Sequence, residues 1–258
     1  SLKNPVIRVS SSNDCSKICC VLEKGFVVYI QTNRTTPKIF QMGSSPKISL
    51  SHDGTLLLVG TKTGDLTLTD MEKRPMWSTN FGQPIHEVHI THQFHSIVAL
   101  PGKLMVFDIR GSKKHEIALS GNVQNIISSD DGSYILVWDD RRIVYYIDST
   151  KGLLWTTNFN EEIKGAYISK GGTVTIVWTA EPRMFVYNNH GTIIANPRFP
   201  LPIITLKYNR KKDEVNLILS RELQIINLQS VQKLKKYITH QINKKKIQFQ
   251  TQQMKKIL

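Results

Sequence analysis

A run of mostly apolar residues that closes on an acid or an amide recurs along this chain at a spacing near 39 residues. The runs are Val27-Val28-Tyr29-Ile30-Gln31, Leu66-Thr67-Leu68-Thr69-Asp70, Met105-Val106-Phe107-Asp108, Val144-Tyr145-Tyr146-Ile147-Asp148, Phe185-Val186-Tyr187-Asn188 and Gln224-Ile225-Ile226-Asn227. Their closing positions are 39, 38, 40, 40 and 39 residues apart. A period of that length marks a structural unit that cannot bury its apolar face alone and must stack on its neighbours.

Two further registers keep the same period. Met76-Trp77-Ser78-Thr79-Asn80-Phe81 and Leu154-Trp155-Thr156-Thr157-Asn158-Phe159 lie 78 residues apart, two periods. Ser51-His52-Asp53-Gly54, Ser129-Asp130-Asp131-Gly132 and Ser169-Lys170-Gly171-Gly172 are polar tight turns with glycine where a positive φ is needed. Within residues 44–82 the pattern is turn and strand, with little room for a helix. Lys47–Ser51 alternates, Leu56–Val59 is continuously apolar, Gly64 turns, Asp65–Asp70 alternates and Arg74–Phe81 follows a loop. That predicts four short strands, the second covered on both faces. A helical solenoid is the alternative, and the β-branched alternation and frequent glycine turns argue against it.

Four antiparallel strands in about 40 residues, repeated around a ring, describe a β-propeller. The units resemble WD40-type repeats: Phe107-Asp108 and Ile147-Asp148 imitate the hydrophobic-Asp pair that closes the third strand of such units. Gly152-Leu153-Leu154-Trp155 also resembles the outer strand of PQQ-like repeats. The likeness spans residues 5–240, but no unit has a Gly-His dipeptide, and the only Trp-Asp, Trp138-Asp139, ends a second strand. The expected fold is all-β: a propeller of about six, or seven, four-stranded antiparallel blades over residues 1–240. The blades are drawn at 4–43, 44–82, 83–121, 122–160, 161–200 and 201–240, with a basic extension over 241–258 that is helical or flexible.

The formal charge of +14 is unevenly spread: residues 231–258 hold eight lysines and no acid, leaving +6 on the first 230 residues. A fourth strand near 232–238 is expected before the basic extension. Lys244, Lys245, Lys246, Lys255 and Lys256 are the candidate polyanion-binding residues, for nucleic acid or an acidic membrane. The competing reading is a solvated, solubilising tail. Three cysteines, Cys15, Cys19 and Cys20, are too few and too bunched for a disulfide framework, so a reducing, cytoplasmic setting is expected. No apolar run is long enough to span a bilayer, and Ser1-Leu2-Lys3-Asn4-Pro5 carries no secretory signal pattern.

Features that suggest chemistry have plainer readings. His86, His89, His92 and His95 recur every three residues, but on a strand such positions alternate faces, so no metal site is expected. Cys19-Cys20 lies within the apolar run Ile18–Leu22, and the pair reads as two small core residues in place of a redox centre. Trp77 with Trp155, and Trp138 with Trp178, hold matching repeat positions and read as packing between blades. No nucleophile motif, phosphate loop or His-Glu-x-x-His run is present, so no catalytic residue and no cofactor are expected.

The function expected from these residues is a non-enzymatic scaffold that holds protein partners within a larger assembly. Loops on a rigid frame would carry the recognition. The candidate partner-binding residues are His52, Asp53, His92, His95 and Asp130 on one rim, with Asp139, Arg141 and Arg142 on the other. The alternative is electrostatic binding of nucleic acid or anionic membrane through the lysine-rich end.

Overall fold

In a computed structural model of the chain, residues 4–34, 36–43, 45–209, 214–220 and 223–227 are described. They form six antiparallel sheets, each strand hydrogen-bonded to the next in sequence. Sheet 1 contains β1 (Val6–Ser11), β2 (Lys17–Leu22), β3 (Phe26–Gln31) and β4 (Lys38–Gln41). Sheet 2 contains β5 (Lys47–Leu50), β6 (Leu56–Gly60), β7 (Asp65–Asp70) and β8 (Pro75–Asn80). Sheet 3 contains β9 (Glu87–Ile90), β10 (Ser96–Leu100), β11 (Lys103–Phe107) and β12 (Lys113–Ala118). Sheet 4 contains β13 (Val123–Ser128), β14 (Tyr134–Asp139), β15 (Ile143–Asp148) and β16 (Gly152–Asn158). Sheet 5 contains β17 (Ile163–Ile168), β18 (Val174–Thr179), β19 (Met184–Asn188) and β20 (Ile193–Ala195). Sheet 6 shows β21 (Ile203–Asn209), β22 (Glu214–Leu219) and β23 (Leu223–Asn227). The strand expected near 232–238 and the lysines from 244 to 256 lie outside the described residues.

The strands divide between two compact units. The first holds residues up to Phe159 together with Ile168–Thr173; the second holds Asn160–Tyr167 and the residues from Val174 on. In the first unit the sheets stack through shared cores. Cys19, Val21, Val27, Tyr29 and Phe40 of sheet 1 meet Ile48, Leu50, Leu57 and Val59 of sheet 2. Leu58, Leu66 and Leu68 of sheet 2 meet Val88, Val98, Met105 and Phe107 of sheet 3. Leu104 and Val106 of sheet 3 meet Ile135, Val137, Tyr145 and Ile147 of sheet 4. In the second unit Trp178 and Val186 of sheet 5 share a core with Ile203 and Leu219 of sheet 6.

Second strands are sealed on both faces because both are core faces: every residue of β6 and of β10 is buried. That placement also explains the vicinal cysteines. Neighbouring strand residues point to opposite faces, so Cys19 enters the core shared with sheet 2 while Cys20 joins Leu22 and Val28 on the other side. Both are free thiols, and burial pushes the Cys19 thiol up to about 12.

In sheets 2 to 5 the acid or amide that closes the third strand caps the turn that follows. Asp70 Oδ1 accepts from the backbone N–H of Glu72 at 2.8 Å and of Arg74 at 2.9 Å. Asp108 does the same for Arg110 and Ser112, Asp148 for Thr150 and Lys151, and Asn188 for His190 and Thr192. The sequence period is therefore a period of Asx turns, which satisfy donors that the turn would otherwise leave unpaired.

Candidate functional site

Strand order puts the turns between first and second strands at one end of every sheet, and those between second and third strands at the other. The first set of turns in sheets 1, 2 and 4 is built on one plan. An Asp near the turn's centre accepts from the Ser before it: Ser12 to Asp14 at 2.6 Å, Ser51 to Asp53 at 2.6 Å and Ser129 to Asp131 at 2.5 Å. The same carboxylates accept the backbone N–H two residues on, from Ser16, Thr55 and Ser133. Burial pushes the Asp53 carboxyl up, but hydrogen bonds from Ser51 and Thr55 outweigh it and hold the group below its ordinary range. In sheet 3 Thr91 takes the role of the serine, its Oγ1 accepting from His95 N–H at 3.1 Å.

These turns are tied to one another. Asn13 N–H donates to the His52 carbonyl at 2.9 Å, and Lys17 Nζ donates to the Asp53 carbonyl at 2.8 Å. The His52 and His92 rings meet edge to face, 4.1 Å between centroids. Gln93 Nε2 donates to Ser133 Oγ at 3.1 Å. Gly132 has φ +73°, and a Cβ there would stand 2.7 Å from Gln93 N, so both backbone shape and close approach require glycine. The result is a continuous polar belt from Asn13 to Ser133.

Beneath it the first strands are stitched together. Ser10 Oγ accepts from Leu50 N–H at 2.9 Å, Ser49 Oγ accepts from Ile90 N–H at 3.0 Å, and His89 Nε2 pairs with Ser128 Oγ at 2.9 Å. Arg8 of β1 reaches past sheet 2 to form a two-pronged ion pair with Glu87 of β9, NH2 lying 2.6 Å from Oε2. His89 is held neutral: burial pushes its imidazole down to about 4.

The residues expected from sequence fall in three groups. His52, Asp53, His92 and Asp130 all lie in the belt, with His92 and Asp53 exposed and His52 and Asp130 half-buried. His95 lies under it, its Nδ1 buried without a partner and its imidazole pushed down by desolvation. Asp139, Arg141 and Arg142 sit at the opposite end. Asp139 is only 2% exposed and is used up as a turn cap, accepting from Arg141 N–H, Ile143 N–H and the Tyr145 hydroxyl. Arg141 and Arg142 are exposed there, Arg142 at φ +67°. The lysines at 244, 245, 246, 255 and 256 lie outside the described residues.

Sequence reasoning missed Gln93, Ser133 and the Arg8–Glu87 pair. It also missed the row Ser10, Ser49, His89 and Ser128, although its spacings of 39, 40 and 39 residues carry the repeat. The ion pair has no signal of that kind, because it joins two different repeat positions. Among the described residues no three His, Cys, Asp or Glu side chains gather as a metal-ligand set, and no helix is long and apolar enough to cross a membrane.

No family model matches the chain, and no curated protein matches it. Solved structures do. A chain of the mitotic checkpoint complex crystal structure superposes with a TM-score of 0.68 at 15% identity, covering 87% of this chain and 76% of that one. The β-propeller domain of Cps50 (Swd1) from Myceliophteria thermophila gives a TM-score of 0.61 at 14% identity, covering 87% of this chain and 84% of that one. At these identities the likeness establishes the fold alone, a β-propeller. Neither structure bears on the PQQ-like side of the sequence resemblance.

Proposed function

We propose that this chain is a non-enzymatic scaffold that holds protein partners of a multi-subunit complex on the belt of turns from Asn13 to Ser133. The observation that carries the reading is the tying of the turns across four sheets, through Asn13–His52, His52–His92 and Gln93–Ser133. A surface that contributes recognition without refolding needs loops held rigid by their neighbours, because ordering loops on binding subtracts from affinity. The belt also presents exposed donors and acceptors of both kinds, Asn13, Asp53, His92 and a half-buried Ser133, which suits a protein surface better than a phosphate backbone. One of the matched propellers comes from a structure of a complex, which accords with the same use of the fold. The reducing, cytoplasmic setting inferred from the cysteines belongs to the same proposal.

The test is affinity purification of the full chain beside H92E/Q93E and a version ending at His240, at low and moderate salt, with bound proteins identified. Partners that survive truncation and salt but are lost from H92E/Q93E place recognition on the belt. Binding that disappears with residues 241–258 or with salt assigns it to the lysine segment and to polyanions, and sinks the belt reading.

A further inference from the structure

Sheet 1 joins its third and fourth strands differently from the sheets that follow it. Six residues, 32–37, separate β3 from β4, against three to five in sheets 2 to 5. Gln31 closes β3, and among the described residues no side chain caps the turn beyond it. The backbone ties are Arg34 N–H to the Gln31 carbonyl at 3.1 Å and Thr32 N–H to the Ser16 carbonyl at 2.9 Å. The second bond fastens the start of the connection to the belt turn of sheet 1. Beyond Thr32, the residues Asn33, Arg34, Thr36 and Pro37 are all exposed.

Only two of the ten prolines follow a hydroxyl residue: Thr36-Pro37 before β4 and Ser45-Pro46 after it. The two dipeptides read alike in the sequence and differ in the fold. Ser45 is half-buried with φ +48°, a left-handed backbone. Thr36 is exposed, its φ is not positive, and its hydroxyl makes no hydrogen bond among the described residues. A residue before proline is kept out of the helical region and favours the extended one. A protein kinase must draw the segment around its target hydroxyl along an open cleft, which an exposed, extended threonine permits and a half-buried, left-handed serine does not. Pro37 offers no N–H, so the segment suits a kinase whose next pocket is apolar and asks for no hydrogen bond there.

We propose that Thr36 is a phosphorylation site for proline-directed protein kinases. In the transfer, Thr36 Oγ1 attacks the γ-phosphorus of a nucleoside triphosphate. The new O–P bond forms as the bond from that phosphorus to the β,γ-bridging oxygen breaks, the nucleoside diphosphate leaves, and the hydroxyl proton passes to the kinase's base. The product adds about −1.5 to −2 of charge at pH 7. Two residues before it stands Arg34, exposed and without an ion pair among the described residues, while Lys38 on the other side already pairs with Glu72. Arg34 is therefore the cation that the phosphate takes, through charge-assisted hydrogen bonds. Because Thr32 is bonded to Ser16, the new charge arrives at the end of sheet 1 that carries the belt. The site stands whether or not the belt binds a partner.

The test incubates the folded full chain with ATP and a purified proline-directed kinase, and maps the phosphate by mass spectrometry of its peptides. Synthetic peptides of residues 31–41 and 40–50 are treated in parallel. The expected result is one phosphate on the chain, at Thr36, with both free peptides labelled and Ser45 of the folded chain unlabelled. Thr36→Ala should lose the label, Thr36→Ser should restore it, and Pro37→Ala should lose it with the hydroxyl still present. Circular dichroism confirms that each variant keeps the parent's fold, as substitutions at exposed positions should. Labelling of the folded chain at any other residue overturns the proposal. So does a folded chain left unlabelled beside a labelled 31–41 peptide, which would show that the fold withholds Thr36. An unlabelled 31–41 peptide overturns it as well, because the segment itself is then no substrate.

Discussion

Replacing Glu87 with alanine removes one half of the ion pair that joins β1 to β9 across sheet 2, and leaves the Arg8 guanidinium where the pair had placed it. Breaking a fully buried pair from one side costs about 3–5 kcal/mol, because the surviving charge has lost both water and partner. Here the side chains are not equally sealed: Glu87 is 10% exposed and Arg8 31%. Water reaches the guanidinium that Glu87→Ala strands, so that variant should lose only about 2 kcal/mol. Arg8→Ala strands the more deeply buried carboxylate and should cost more, about 3 kcal/mol. The double variant has no stranded charge and should fall short of the summed losses by about 1.5–2 kcal/mol. Urea unfolding of the four proteins, followed by tryptophan fluorescence and closed as a double-mutant cycle, measures all three quantities. Single variants that each cost less than about 0.5 kcal/mol, or losses that simply add, would show that the pair is a surface contact and that sheets 1 and 3 are not tied through it.

Asp139→Ala should lower the melting temperature by about 5–10 °C, since three donors, Arg141 N–H, Ile143 N–H and the Tyr145 hydroxyl, lose a buried acceptor worth about 2–3 kcal/mol in all; calorimetry showing a drop under about 2 °C would refute the cap. His89 gives a pH dependence of definite sign: its folded pKa, about 4, lies below the unfolded 6.5, so the unfolded chain binds more protons between those values. The stabilisation is then complete above about pH 6.5 and is lost as pH falls towards 4, by about 2 kcal/mol after allowing for a partly exposed ring. Urea stabilities at pH 7 and 4.5 should therefore differ less in His89→Asn than in the parent chain, and equal differences would exclude the effect.

The repeat was legible in the sequence because it is local chemistry written several times. An Asp or Asn that ends a third strand must cap the turn beyond it, and Asp70, Asp108, Asp148 and Asn188 each do so with their own neighbours' N–H groups. The continuous apolar run at Leu56–Val59 likewise announces a strand covered on both sides, whatever covers it. From such signals the all-β propeller follows, and so does the placing of His52, Asp53 and Asp130 in turns at the end of sheets. What those turns do to one another does not follow. That Gln93 reaches Ser133 and that the His52 and His92 rings touch depend on how far one sheet is rotated against the next. The Arg8–Glu87 pair joins positions 79 residues apart that occupy different places in the repeat. Strand period and turn chemistry are set by bonds between residues close in the chain, so the sequence alone determined them. The belt and the ion pair are contacts between separate sheets, and only stacking in three dimensions decides those.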